Sequence, residues 1–461
     1  MSPETQATAT ATGGRPLPSR FSLPLVGDTL AFARDAGGFL ASRARELGPV
    51  FEINVFGHPT ACFVGPEAFA LILDDRNVER TSANPPHVEA IFNPRAVPFL
   101  DGSTQRRRKH LLLQAFNPKA LDGYLPIIDR VISRYTQRWQ DKERFSWVPE
   151  LNSLGFSIAG ALFVGTDPSS DDPEIEDAFG KVAAGLLSVP INLPFTPYGQ
   201  ALKARDYLLS IVDRALDAGE RATFDGTNVL GRLRQAREGD DRLGQDELRI
   251  ETFHFFGAYS AVIGGLSFLV SALGRFPDAA NRARAEVLRE APAGSLSLAA
   301  LRKLEYLDRF TREVRRASPI LPLTFFGKVK REMTFQGIRI PAGHRAIGCI
   351  GATLLDPGTF VEPERFDPDR WLNPSEQQKK AWVPHGGGNP ADGHRCAGEA
   401  LADLMMRALA VHLLRGYQWT FDPDQDFAPT KNKLFATPVD GLRVKFSRRS
   451  PSPGPTPRAT G

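Results

Sequence analysis

The segment Pro384-His385-Gly386-Gly387-Gly388-Asn389-Pro390-Ala391-Asp392-Gly393-His394-Arg395-Cys396-Ala397-Gly398-Glu399 decides how the rest of the chain is read. Glycines are useful where backbone must pass close to a flat ligand or adopt positive φ. Here they deliver one thiol, Cys396, to the start of a helix. That helix shows in Leu401, Leu404, Met405, Ala408, Val411 and His412, which recur at helical spacing with Asp403, Arg407 and Arg415 between them. One face is therefore apolar and buried. A cysteine at such a start faces unpaired N–H groups and the positive end of the helix dipole, which favour the thiolate. Three readings stay open on these residues alone: a buried thiol in a glycine turn, a zinc site with His385 and His394, and the axial ligand of a haem iron. Zinc fits poorly, because His394 and Cys396 are two apart and no second CxxC or HxxxH pair completes a tetrahedron.

Composition narrows the rest. The chain has 461 residues, 42% hydrophobic and 24% charged, enough for a large core. A formal charge of +4 with no dominant basic cluster argues against a nucleic-acid partner. Three cysteines, Cys62, Cys349 and Cys396, make no disulfide framework and suit a reducing cytoplasm. Cys62 and Cys349 sit in apolar runs, where packing is their expected role. No membrane span is expected, for want of a run of about 18 apolar residues. Residues 1–20, with their Ala-Thr alternation, read as a disordered tail, and 448–461 as a disordered tail rich in Pro and Ser.

Strands are expected at Gly48–Val55 and Thr60–Val64 around Phe56-Gly57-His58-Pro59, with a helix opening at Gly65-Pro66-Glu67. Further strands are expected at Phe325–Val329, at Thr334–Ile340 around Gln336-Gly337, and at Trp419–Phe421 with Leu442–Phe446. Residues 123–220 carry helical periodicity broken by prolines. Their apolar link Val189–Phe195 reads either as the cover of a greasy access channel or as a core crossing. Leu301–Ser318 is strongly periodic and stops at Pro319, with Glu313 and Arg316 one turn apart. Phe366-Asp367-Pro368-Asp369-Arg370-Trp371 follows and brings Arg370.

Those two motifs, in this order before the cysteine loop, resemble the cytochrome P450 superfamily of haem-thiolate enzymes over nearly the whole chain. The resemblance implies a mainly α fold with a small β region, one domain over residues 21–447, and haem b as cofactor. It implies Cys396 as axial ligand, Gly388 in the cofactor-facing loop, Arg395 or His394 at a haem propionate, and a buried Glu313–Arg316–Arg370 network. The stretch Leu23–Gly27 resembles the proline-rich lead into the family's first helix. Most eukaryotic relatives begin with a membrane anchor, so a soluble, bacterial protein is expected.

The long loop from the glycines to Cys396 resembles more specifically that of bacterial fatty-acid peroxygenases. Cys396-Ala397-Gly398 is also similar to the plant allene oxide synthase and hydroperoxide lyase branch. Both consume peroxides rather than dioxygen plus electrons. Ahead of Leu111, the run Gln105-Arg106-Arg107-Arg108-Lys109 opens a helix. In this family that helix offers residues four apart to the propionates, which makes Gln105 and Lys109, with Arg108 beside them, the implied contacts.

A helix from about Leu248 to Phe276 should cross over the haem. Counted back from Pro277, Ser260 holds the place of the usual acid and Ala261 that of the usual threonine, so the proton relay for dioxygen is missing. No arginine lies between Arg249 and Arg275, so the carboxylate-holding arginine of the fatty-acid peroxygenases does not carry over. Phe253-His254-Phe255-Phe256-Gly257-Ala258-Tyr259-Ser260 is instead similar to the allene oxide synthase stretch, and puts His254 where that branch has a catalytic asparagine. His254 is thus either a satisfied core residue or a group touching an oxygen ligand or substrate.

The expected activity is oxidation of a hydrophobic, fatty-acid-like substrate with hydrogen peroxide or a lipid hydroperoxide. The alternatives are a monooxygenase of a terpenoid or polyketide fed by ferredoxin and its reductase, and a non-catalytic haem sensor.

Overall fold

The computed structural model describes residues 14–20, 27–221 and 227–449, in which helices dominate and small sheets flank them. A mainly α architecture with a small β region is therefore found, and only Gly27 of the Leu23–Gly27 stretch is among the described residues. The expected tails fall mostly outside them too, although residues 14–20 already touch the sheets through bridges from Arg15 to Ile338 and from Ser19 to Glu52.

Strands β1 (Val50–Val55) and β2 (His58–Phe63) form the expected hairpin, tightened to a two-residue turn. Phe56 and Gly57 both take positive φ there, the mirror-image turn that matches strand twist. The helix Pro66–Ile72 follows, and then the short β3 (Val78–Glu79). The larger sheet has the order β1-β2-β8-β5-β3, where β5 is Gly327–Val329 and β8 is Arg345–Gly348. β2 and β8 run parallel, so this sheet joins the two ends of the chain. β6 (Met333–Phe335) and β7 (Ile338–Ile340) turn at Gln336-Gly337 as expected. A third sheet has the order β4-β10-β9, from Arg144–Ser146, Arg443–Arg448 and Tyr417–Phe421. The expected hairpin therefore gains a strand, β4, that three residues of weak pattern gave no means to see.

The helix Pro118–Lys142 continues through Pro126. It packs with Trp147–Ala159 around Trp139 and Trp147, whose rings lie 4.8 Å apart. Helices Pro173–Leu186 and Pro197–Arg221 pack on each other. Their link, Val189–Phe195, is exposed, with Val189 at 70% and Phe195 at 75%, which excludes a core crossing. Two 18-residue windows, one within Gln245–Arg275 and one at Trp147–Val164, are apolar enough by length and composition to cross a membrane, with mean hydropathies of 1.7 and 1.2. They are 78% and 72% buried in the fold, which accounts for their composition as core helices.

The network expected around Glu313 is present. Arg316 Nε and Nη2 donate to both Glu313 oxygens at 2.8 Å, and both residues are fully buried. Arg370 Nε reaches Glu313 at 3.5 Å. The same carboxylate also accepts from the Trp371 indole N–H at 3.0 Å and from the Asp367 amide at 3.0 Å. Arg316 and Arg370 spend their remaining donors on carbonyls of residues 354–365. One carboxylate thereby pins the meander that leads to the cysteine loop, and polar satisfaction of this kind makes such a network stiff.

Candidate active site

Two helices and the loop from residue 384 to 398 build the site. The helix Glu399–Gly416 starts directly after the loop, with Gly398 as its N-cap. Gly386, Gly387 and Gly388 take φ of +92°, +74° and +81°, a run that side-chain-bearing residues would occupy only under strain. A Cβ on Gly387 would also stand 2.8 Å from Val383 Cγ1. Replacing Gly387 by alanine should cost roughly 1–3 kcal/mol, seen as a lowered urea midpoint. An unchanged midpoint would mean the loop is not held in this form.

The extra residues of the long loop make their own turn. Asn389 Oδ1 accepts the Ala391 amide at 2.9 Å, its carbonyl accepts the Gly393 amide at 3.0 Å, and its side chain meets Asp392. Past that turn the Cys396 amide donates to the His385 carbonyl at 3.0 Å. His385 is half-buried, desolvation deep in the molecule pushes its pKa down to about 4, and its ring faces Arg315 at 3.4 Å. Arg315 also bonds Asp403 at 2.9 Å, tying helix Glu305–Ala317, the loop and the cysteine helix together.

Cys396 keeps open side-chain surface although it lies deep in the molecule. A thiol with both properties lines an internal slot. Burial pushes its pKa up, and the Gly398 and Glu399 amides and the Lys109 ammonium pull it down. The helix start thus acts as expected without outweighing burial of the bare thiol. The surface clefts of about 300 and 160 Å³ lie elsewhere, beside Tyr207 and Arg205 respectively.

The basic groups are placed less simply than the spacing implied. Lys109 donates to the Arg395 carbonyl at 2.6 Å and to the Gly393 carbonyl. Gln105 donates to the same Gly393 carbonyl at 3.2 Å, and its buried Oε1 has no partner. Both therefore hold the loop next to Cys396. Arg395 is engaged by Glu399 through two bonds of 2.5 and 2.7 Å. Arg108 must be corrected: its guanidinium is spent on Glu247 at 2.6 Å and Glu251 at 2.8 Å, away from the cysteine loop. Sequence reasoning missed Arg80, which is buried and whose Nη1 has no hydrogen-bond partner among the described residues. His394 Nε2 is buried and faces the carboxylates of Asp75 at 3.6 Å and Asp101 at 3.8 Å. Nothing in the local pattern around Arg80 marked it.

Over the slot the expected single helix is interrupted. Gln245–Ala258 and Ser260–Arg275 meet at Tyr259, whose amide is shared between the Phe255 and Phe256 carbonyls at 3.2 and 3.4 Å. The small residues Gly257 and Ala258 precede the break, and past it the bonds tighten, with the Val262 amide donating to the Tyr259 carbonyl at 2.9 Å. Between Ile250 and Leu273 only His254, Ala258, Ser260, Ala261 and Val262 keep open surface. Positions 254, 258 and 261 share one helical face, so this stripe is the face turned to the slot. Residues 320–325 bound the same space, where Phe325 is 41% exposed and its ring lies 5.1 Å from that of Phe99. His254 is brought to the slot, its Nδ1 3.2 Å from Glu251. Ser260 is there too, and its hydroxyl makes no hydrogen bond among the described residues.

Comparison with known proteins agrees with this site. The model of the family described as Cytochrome P450 matches residues 16–446, and the chain belongs to that family. Its members bind haem through a cysteine thiolate and are oxidoreductases, and haem is the cofactor of this chain. A protein of Synechocystis named as cytochrome P450 120 is 30% identical over 438 residues, covering 93% of this chain and 96% of that one. Abscisic acid 8'-hydroxylase 1 of Oryza sativa subsp. japonica is 26% identical, covering 95% and 92%. The solved structure of retinoic acid bound cyanobacterial CYP120A1 superimposes with a TM-score of 0.86 at 29% identity, over 95% of this chain and all of that one. The residues present fit the group: an open thiol at a helix start, a three-glycine cradle, and the buried Arg80 Nη1, a donor with no hydrogen-bond partner among the described residues.

Proposed function

We propose that Cys396 is the axial ligand of haem b and that the chain oxidises an apolar small molecule of fatty-acid or isoprenoid type with a peroxide. The observation that carries peroxide use is the slot-facing stripe, which offers Ala261 and Ser260 at the relay positions and, about two turns earlier, a histidine backed by a buried carboxylate. Bound at Cys396, the haem would supply oxygen transfer to a hydrocarbon. Gly388 and its neighbours let the backbone lie flat against it, while Lys109, Gln105 and Arg395 hold the loop, and Arg80 and His394 meet its carboxylates. The aromatic wall of Phe92, Phe99 and Phe325 excludes water and binds the apolar substrate. His254, backed by Glu251, would hold or pass a proton at the O–H of a bound peroxide. Cytoplasmic placement belongs to this reading and rests on three unpaired cysteines.

A second reading, hydroxylation of an isoprenoid with electrons from ferredoxin and its reductase, is favoured by the names of the relatives, abscisic acid 8'-hydroxylase and a structure holding retinoic acid. These names also point away from a fatty acid as the only candidate substrate. Purified holoprotein should turn over retinoid-like or long-chain acids with hydrogen peroxide alone, and His254→Ala should lower that rate by about a hundredfold. Turnover seen only with ferredoxin, reductase and NADPH would transfer the assignment to the second reading.

A further inference from the structure

Glu251 is completely buried, one turn before His254 on the helix Gln245–Ala258. Its two oxygens are used differently. Oε1 accepts the Val97 amide at 2.9 Å and Arg108 Nη1 at 2.8 Å, whereas Oε2 faces only His254 Nδ1, at 3.2 Å. Two donors on one oxygen fix the plane and rotamer of the carboxylate, so Oε2 cannot swing away from the ring.

Charge strengthens the assignment. Arg108 is shared with Glu247, and Arg107 pairs with Glu247 and Asp241, so two guanidiniums face three carboxylates. An ionised carboxylate can only accept. In the neutral ring the proton must then sit on Nδ1, leaving Nε2 with its lone pair. Nε2 makes no hydrogen bond among the described residues, and His254 is one of the few open positions on the slot face. Phe92, edge-on at 6.5 Å, and Phe255, at 5.0 Å, hold the ring in place.

We propose that Glu251 is the positioning residue of this site, and that it presents His254 Nε2 as a hydrogen-bond acceptor for the O–H of a bound hydroperoxide. This rests on the peroxide-using reading above and adds what recognises the oxidant. The proposal concerns binding and the place of one proton, and no bond is broken in it. Arg108, placed by spacing at a haem propionate, instead orients Glu251.

The test uses haem-loaded full-length protein with histidine rings labelled by ¹⁵N, in the diamagnetic reduced carbon-monoxide form. The proton of His254 is expected on Nδ1. In Glu251→Gln the new amide serves Val97 and Arg108 through its oxygen and donates to Nδ1, so the proton should move to Nε2. With hydrogen peroxide as probe, kcat/KM should fall about tenfold in Glu251→Gln. KM for the organic substrate should change little. Because Glu251 acts through the ring, the same substitution in the His254→Ala background should add nothing.

A wild-type proton on Nε2, or a tenfold loss that persists in the His254→Ala background, would overturn the proposal and leave Glu251 as the counter-ion of Arg108. Peroxide turnover that is indifferent to His254 would overturn it while the peroxide-using function stands. Turnover with reductase alone would remove the hydroperoxide as ligand, whatever the tautomer.

Discussion

Replacing Glu313 by alanine should destabilise the protein by about 3–5 kcal/mol and release its haem. The residue is fully buried and serves five donors: both arms of Arg316, the Trp371 indole, the Asp367 amide and, more loosely, Arg370. Removing the carboxylate leaves the Arg316 charge with carbonyls only, in a place that water does not reach. An uncompensated buried charge is what makes the loss large, since surface pairs are worth far less. The damage reaches the site because the segment from residue 354 to 371 is what these donors fix ahead of the cysteine loop. Thermal unfolding and the haem-to-protein absorbance ratio give the answer together. A midpoint unchanged from wild type, with full haem content, would show that the meander is held by other means.

Replacing Cys396 by alanine should reduce oxidation to background. The reason is chemical rather than structural: a thiolate pushes electron density to the iron, and no other side chain reaching the slot can stand in for it. The fold should survive, because the thiol has open surface and contributes little packing. Cys62→Ala and Cys349→Ala make the contrast. Both cysteines are fully buried in the sheet region, so their loss should cost stability and leave catalysis in the surviving protein intact. If Cys396→Ala retained wild-type turnover, the ligand would have to be sought elsewhere.

Much of this could be read from the chain before any coordinates. Glu313, Arg316 and Arg370 were legible through the family resemblance of their two motifs, because spacing alone makes Glu313 and Arg316 only a surface pair. The cysteine loop was legible from its glycines, and the positive φ at residues 386–388 is the reason they are there. Arg108 was misread because four consecutive basic residues point in every direction around a helix, and only the fold shows that Lys109 turns to Gly393 while Arg108 turns to Glu251. Glu251 itself left a usable signal, an acid amid apolar residues one turn before His254. The break at Tyr259 left none, since Gly257-Ala258 is compatible with a continuous helix. Strand β4 and the parallel pairing of β2 with β8 depend on partners hundreds of residues away, which local periodicity does not report.

The central claim, that Cys396 sulfur is bonded to iron in the slot, is tested most directly by the absorption spectrum of the haem-loaded protein after reduction and exposure to carbon monoxide. The account predicts the long-wavelength Soret band of thiolate-bound iron in the wild type and its loss in Cys396→Ala. A band at the shorter wavelength of imidazole-ligated haem in folded wild-type protein, or a thiolate band that persists in Cys396→Ala, would contradict it.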